Sequence, residues 1–300
     1  MDERFVQTSD GVELCYETFG DPGDPAMLLV MGLGTQMLGW HEDFCRLLAE
    51  RGFFVIRYDN RDVGRSTHHR GVKPPGPLEL LTRRPKQLAY TLDDLADDGM
   101  GLLAQLGVER AHVVGASMGG MIAQTMAVRH PDRVLSLTSI MSMTGNRRVG
   151  NPALRVYPIF LGRPPRDRDA HVERISKVFG LIGSPAFERD DEEMRRLAGL
   201  SYDRDPTTGG TPRQLAAILA AGDRTEALRD IAVPTLVIHG SEDRMIAPSG
   251  GKATARAIPG AKLMTIEGMG HDLPRGVWDR IVEAIAENAA RAAEPQAAAS

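Results

Sequence analysis

Residues 110–130 constrain this chain more than any other stretch: Arg-Ala-His-Val-Val-Gly-Ala-Ser-Met-Gly-Gly-Met-Ile-Ala-Gln-Thr-Met-Ala-Val-Arg-His. Ala111 to Val114 read as a short buried strand, and the chain then turns at Gly115-Ala116-Ser117-Met118-Gly119. It continues as an apolar helix through Val128, stopped by Pro131. A serine at the centre of Gly-x-Ser-x-Gly, between a strand and a helix, is the arrangement in which a hydroxyl is presented as a nucleophile. Such a serine sits in a strained backbone conformation, and small neighbours let strand and helix approach closely enough to hold it. The helix N-terminus then lies beneath the hydroxyl, with free N–H groups where negative charge would develop. A glycine-rich turn with a structural serine is the bland alternative. The strand before and the helix after favour the nucleophile.

Strands and helices alternate around this unit. Residues 12–19 read as a half-exposed strand after the Ser9-Asp10-Gly11 turn, and 26–31 as an apolar run suited to a strand covered on both faces. The spacing predicts a helix over 40–51 ending at Gly52, a strand over 53–58, and a helix over 91–106 ending at Gly107. A further strand is expected at 134–140. This alternation implies a parallel α/β sheet with right-handed crossovers. The rhythm breaks from about residue 143 to 229, where helix-like segments at 169–179, 190–202 and 211–221 occur without a convincing buried strand. Strands at 234–239 and 261–266 and a helix at 274–291 then restore it. The expected organisation is a core of 1–142 and 230–293, interrupted by a helical cap at 143–229, with a disordered tail at 294–300. Such a cap would cover the C-terminal edge of the sheet, where open α/β sheets bind ligands.

A serine hydroxyl is nearly inert at neutral pH, so it needs a base, and the base needs an orienting group. Two candidates fall after later strands: Asp243 in His239-Gly240-Ser241-Glu242-Asp243, and His271 in Glu267-Gly268-Met269-Gly270-His271. His271 would take the Ser117 proton as general base, while Asp243 fixes the imidazole tautomer. Glu242 is the nearest rival for the acid. The chain holds 8 histidines, so a histidine alone says little. Of these, His271 alone lies after the last strand, in a glycine-bracketed loop that can turn a side chain back over the sheet edge. The developing oxyanion needs two backbone N–H groups. Met118, next to the nucleophile, offers one, and Leu33 in Met31-Gly32-Leu33-Gly34 after the third strand offers the other.

Composition narrows the alternatives. A net charge of −4, with 36 basic and 40 acidic residues, points to neither nucleic acid nor an anionic membrane as partner. The 2 cysteines, Cys15 and Cys45, give no disulfide framework, so free thiols and a cytoplasmic location are expected. No segment approaches the ~20 apolar residues of a spanning helix. There is no Walker loop, no dinucleotide fingerprint and no metal-ligating spacing, so neither a cofactor nor a metal is expected. His68-His69 reads as a solvated loop pair without partners. Asp93, Asp94, Asp97 and Asp98 read as a solvated or capping helix face.

With Ser117, Asp243 and His271 in that order, and Tyr58-Asp59-Asn60-Arg61-Asp62-Val63-Gly64-Arg65-Ser66 ahead of them, the chain resembles the α/β-hydrolase superfamily over nearly its whole length. Val30-Met31-Gly32-Leu33-Gly34, the Arg-Tyr-Asp-x-Arg-Asp-x-Gly-Arg-Ser pattern of residues 57–66, and Gly268-Met269-Gly270-His271 resemble the aclacinomycin methylesterase-like branch. That resemblance implies hydrolysis of a carboxylic ester, a methyl ester being one candidate. Many members carry histidine where Met31 stands, and glycine where Asp62 follows Arg61. A serine at 117 also argues against haloalkane dehalogenases and epoxide hydrolases, which need a carboxylate nucleophile. The expected function is therefore a serine esterase acting on a small to medium apolar ester. The alternatives are a C–C bond hydrolase with the same triad, or a slow-turnover ligand-binding regulator.

Overall fold

Apolar runs in the middle of the chain become the inner strands of one sheet. The computed structural model describes residues 2–8, 10–73, 75–82, 85–161, 165–207 and 210–292, so the expected tail lies outside the described residues. Within them, β1 (Arg4–Gln7), β2 (Glu13–Phe19), β3 (Ala26–Val30), β4 (Phe54–Tyr58), β5 (Ala111–Ala116), β6 (Val134–Ile140), β7 (Thr235–Gly240) and β8 (Lys262–Ile266) pair in the order β1-β2-β4-β3-β5-β6-β7-β8. The β1–β2 and β2–β4 pairs are antiparallel and the others parallel. Every residue of β3, β4, β5 and β7 is buried. Such strands need apolar side chains on both faces because helices cover both sides. β8, at the edge, exposes Lys262, Leu263 and Thr265.

The flanking helices are α1 (Glu42–Ala49), α2 (Pro77–Thr82), α3 (Leu92–Gln105) and α4 (Met118–Arg129). Local chemistry sets where they begin. α1 starts two residues later than its apolar pattern predicts, because Trp40 closes a 3₁₀ turn and the His41 side chain caps the helix by accepting from Asp43 N–H. α3 opens with a full capping box, Thr91 and Asp94 exchanging bonds. α4, apolar almost all round, runs through the core with Ile122, Ala123 and Met126 buried.

Between β6 and β7 the described residues carry α5 (Tyr157–Leu161), α6 (Arg168–Ile182), α7 (Asp191–Arg204) and α8 (Gly210–Ala221), close to the expected helices. α9 (Ser249–Ala257) and α10 (Trp278–Ala290) complete the molecule.

One reading is corrected, and two elements, β1 and α9, were not among those expected. β2 is buried rather than half exposed: Leu14 packs into the core on one face and Arg204 of α7 lies against Cys15 on the other, leaving both at 0% exposure. β1 itself is too short and polar (Arg-Phe-Val-Gln) to announce a strand, and its pairing with β2 makes it one. α9 begins Ser-Gly-Gly, which reads as a loop.

Cys15 and Cys45 are free and buried, and burial pushes both thiols up to about 12. No helix among the described residues is long and apolar enough to cross a membrane.

Candidate active site

The elbow puts Ser117 between the end of β5 and the first turn of α4, with φ 56° and ψ −119°. That conformation is costly for a residue with a side chain, and the flanking glycines explain how it is held. A Cβ on Gly115 would lie 2.1 Å from the Gly119 carbonyl oxygen, and one on Gly119 would lie 2.0 Å from that of Val30. Strand, turn and helix therefore meet backbone to backbone.

The chain returns two more residues to this point. His271 Nε2 lies 3.0 Å from Ser117 Oγ, and His271 Nδ1 lies 2.8 Å from Asp243 Oδ2. Because a carboxylate only accepts, Nδ1 carries the proton and Nε2 is left to accept from the serine hydroxyl. The other carboxylate oxygen, Asp243 Oδ1, accepts from the backbone N–H of Met245 at 2.9 Å and of Ile246 at 2.8 Å. Burial works to raise the Asp243 pKa. The pull of His271 and His239 outweighs it, and the carboxyl stays well below the usual carboxylate range. Glu242, the rival acid, is exposed.

His239 is a neighbour that the sequence did not announce. It lies near the end of β7, with Nε2 at 2.8 Å from the Ile246 carbonyl and 3.4 Å from Asp243 Oδ2. A carbonyl also only accepts, so Nε2 carries its proton toward Ile246, with the acid alongside. The signal was its spacing, four residues before Asp243 at the end of the same strand.

The predicted oxyanion donors flank the serine. A Cβ on Gly32 would lie 3.0 Å from the Ser117 Cβ, so the loop carrying Leu33 runs against the nucleophile. Met118 is the first residue of α4, where an N–H has no intrahelical partner.

The helical insertion reaches this edge of the sheet at several points. The His271 N–H donates to the Ile182 carbonyl at 2.7 Å, and the Gly270 N–H to Ser184 Oγ at 2.8 Å. Arg204 of α7 donates to Asp59 Oδ2 at 2.8 Å and to Glu3 Oε1 at 2.7 Å. Arg213 of α8 forks onto Asp62 with two bonds of 2.7 Å. Asp62 also accepts from Tyr90 Oη at 2.7 Å and from the His69 N–H at 2.8 Å. Its φ of 72° is one a glycine adopts freely.

His68 and His69 are therefore not a solvated pair without partners. His68 Nε2 lies 3.3 Å from Asp205, and the His69 ring stacks at a tilt on Tyr90, because the insertion covers this loop. Asp98 likewise departs from the exposed face expected of it. It is 2% exposed and takes both ends of the Arg61 guanidinium at 2.6 Å. Met37, Met118, Met121, Met126 and Met141 pack in the core. Among the described residues no group of three or more His, Cys, Asp or Glu side chains could hold a metal ion.

Residues 25–274 match the family model of the α/β-hydrolase fold, and the chain belongs to that family. It is 32% identical to a rhodomycin D methylesterase of Streptomyces sp. (strain C5), over 95% of this chain and 97% of that one. A rhodomycin D methylesterase of Streptomyces peucetius is 30% identical over the same shares of the two chains. Among solved structures, a hydrolase from Pseudomonas aeruginosa PA01 superposes with a TM-score of 0.70 at 26% identity, covering 98% of this chain and 99% of that one. The protein is a hydrolytic enzyme, an esterase.

Proposed function

We propose that the protein hydrolyses a carboxylic ester, with a methyl ester as the leading candidate, through an acyl-enzyme on Ser117. The observation that carries this reading is His271 spanning Ser117 Oγ and Asp243 at 3.0 and 2.8 Å. Ser117 Oγ attacks the ester carbonyl as its proton passes to His271 Nε2, and the carbonyl π pair moves onto oxygen. The Leu33 and Met118 N–H groups receive that oxyanion, each worth about 3 kcal/mol in the transition state. The intermediate collapses, and the alkoxide leaves as an alcohol with the proton from His271. Water then attacks the acyl-serine with His271 again as base, releasing the acid and restoring the serine. Asp243 holds the imidazole tautomer and stabilises the imidazolium. No cofactor or metal takes part in these steps.

Residues 143–229 act in this reading as a cap that selects a small to medium apolar ester, carried by the core of 1–142 and 230–293. The methyl ester is supported by the two methylesterase relatives.

The test uses the purified chain, a fluorophosphonate probe, and a panel of p-nitrophenyl and methyl esters graded by acyl size. One adduct on the peptide containing Ser117 is expected, with turnover above roughly 1 per second on the best ester. An unlabelled protein with buffer-level rates on the whole panel sinks the proposal.

A further inference from the structure

We propose that Gln214, on α8 of the insertion, is a positioning residue for the oxyanion loop, so that the Leu33 N–H takes its working orientation only when α8 is seated. This rests on the ester-hydrolase reading above and adds to it a residue far away in sequence. Gln214 is completely buried, at 0% exposure, and both ends of its amide are used. Its Oε1 accepts from the Gly34 N–H at 2.8 Å, and its Nε2 donates to the Arg61 carbonyl at 2.9 Å. The two partners decide the orientation of the amide, because a backbone N–H can only donate and a carbonyl can only accept.

Leu33 is thus held from both sides. Before it, Gly32 lies against Ser117, where a Cβ would come 3.0 Å from the serine Cβ. After it, Gly34 takes a left-handed φ of 63°, and a Cβ there would lie 2.5 Å from Thr211 Oγ1 on the first turn of α8. A bond from Thr35 N–H to the Gly32 carbonyl, at 3.2 Å, closes the turn. Gln36, two residues on, is held by α7, its Nε2 donating to the Ser201 carbonyl at 2.8 Å, so the bond from Gln214 is the one that acts on Gly34 itself.

α8 has its own anchor one residue earlier. Arg213 forks onto Asp62 at 2.7 Å, and Gly210 lies so close to the Asp62 backbone that a Cβ would come within 1.7 Å of its carbonyl oxygen. A seated α8 therefore brings Gln214 to one place, and Gln214 brings Gly34 with it. An oxyanion donor acts on charge that appears only in the transition state, so its misalignment lowers kcat more than it weakens substrate binding. A displacement of about 1 Å in such a group can cost on the order of 100-fold.

The test compares wild type with Gln214→Met, which matches the length of the side chain and makes neither bond, and Gln214→Glu, which keeps an acceptor oxygen for the Gly34 N–H. kcat and KM are measured on the best ester of the panel, with the inhibition constant of a trifluoromethyl ketone whose serine adduct carries an oxyanion. For Gln214→Met we expect kcat down by about 10- to 100-fold, KM within about threefold of wild type, and the ketone weakened by the same factor as kcat/KM. Gln214→Glu should fall between the two. If circular dichroism shows Gln214→Met unfolded, Gln214→Glu alone decides, a selective loss of kcat being expected. An unchanged kcat in the folded variant, or a loss confined to KM, overturns the positioning role. Failure of wild type on every ester would instead overturn the ester-hydrolase reading, so the two outcomes are distinguishable.

Discussion

His271→Ala is expected to lower kcat on a p-nitrophenyl ester by about 10⁶-fold while leaving the protein folded. The imidazole is the one group that touches both the serine hydroxyl and the buried carboxylate, at 3.0 and 2.8 Å. Without it the hydroxyl keeps its proton and the leaving alkoxide finds no acid. Ser117→Ala should cost about as much, and the double variant no more than either single one, because residues acting as one unit do not contribute additively. A residual rate about 10³-fold above the uncatalysed reaction should survive, from the oxyanion donors and substrate binding alone. Steady-state rates on the three variants, with a fluorophosphonate labelling time course on His271→Ala, check this. A His271→Ala enzyme within tenfold of wild type would remove His271 from the mechanism.

The largest effect on stability is expected from Arg213→Met. Asp62 has a completely buried side chain and takes its charge compensation from the Arg213 fork. Removing the cation leaves a buried carboxylate hydrogen-bonded to the Tyr90 hydroxyl and the His69 N–H, with the His68 ring at 3.9 Å, a loss of about 3–5 kcal/mol. In a chain of this size that corresponds to a fall of about 10 °C in Tm. The effect has a pH signature. Burial works to raise the Asp62 pKa, but Arg213, Tyr90 and His69 together hold it below the ordinary carboxylate value. A carboxyl with a lowered folded-state pKa stabilises the fold fully above its unfolded pKa of about 4, and that contribution is lost as pH falls through the folded value. The gap in Tm between wild type and variant should therefore be widest near pH 7 and narrow below about pH 4. Thermal melts at several pH values measure it. A gap that stays constant across that range would show that the ion pair is not its source.

Much of the architecture could be read directly from local patterns. β6 was expected at residues 134–140 and is found as Val134–Ile140, and the elbow and its helix fall within a residue or two of their expected ends. Those segments carry their signal locally, in apolar runs closed by glycine or proline. The meeting of Ser117, Asp243 and His271 was also legible, because each sits just after a strand of a parallel sheet, where chain order predicts proximity. What stayed hidden depends on partners distant in sequence. Gln214 and Arg213 sit in a helix of ordinary composition, and nothing local says that one reaches Gly34 and the other Asp62. Asp98 looked like one more exposed acid of α3, because its burial depends on Arg61 arriving from another strand end. His239 was one of 8 histidines until the fold brought its ring beside Asp243.

The insertion touches two loops of the site: its α6 end holds the His271 loop through Ile182 and Ser184, and its α8 holds the Gly34 loop through Gln214. Its helices are also among the less buried elements, with Val172 and Ile182 the buried residues of the 15-residue α6. Segments with few buried apolar contacts open locally before the whole molecule unfolds. Warming should therefore silence the enzyme in two stages. Catalysis fails at a lower temperature than the one at which the sheet melts, and it returns on cooling. Residual activity and far-UV circular dichroism, recorded on the same heating ramp, should give separate midpoints, with activity the earlier. The working enzyme would then be bounded by the opening of its insertion, and the folded core would outlast its own chemistry.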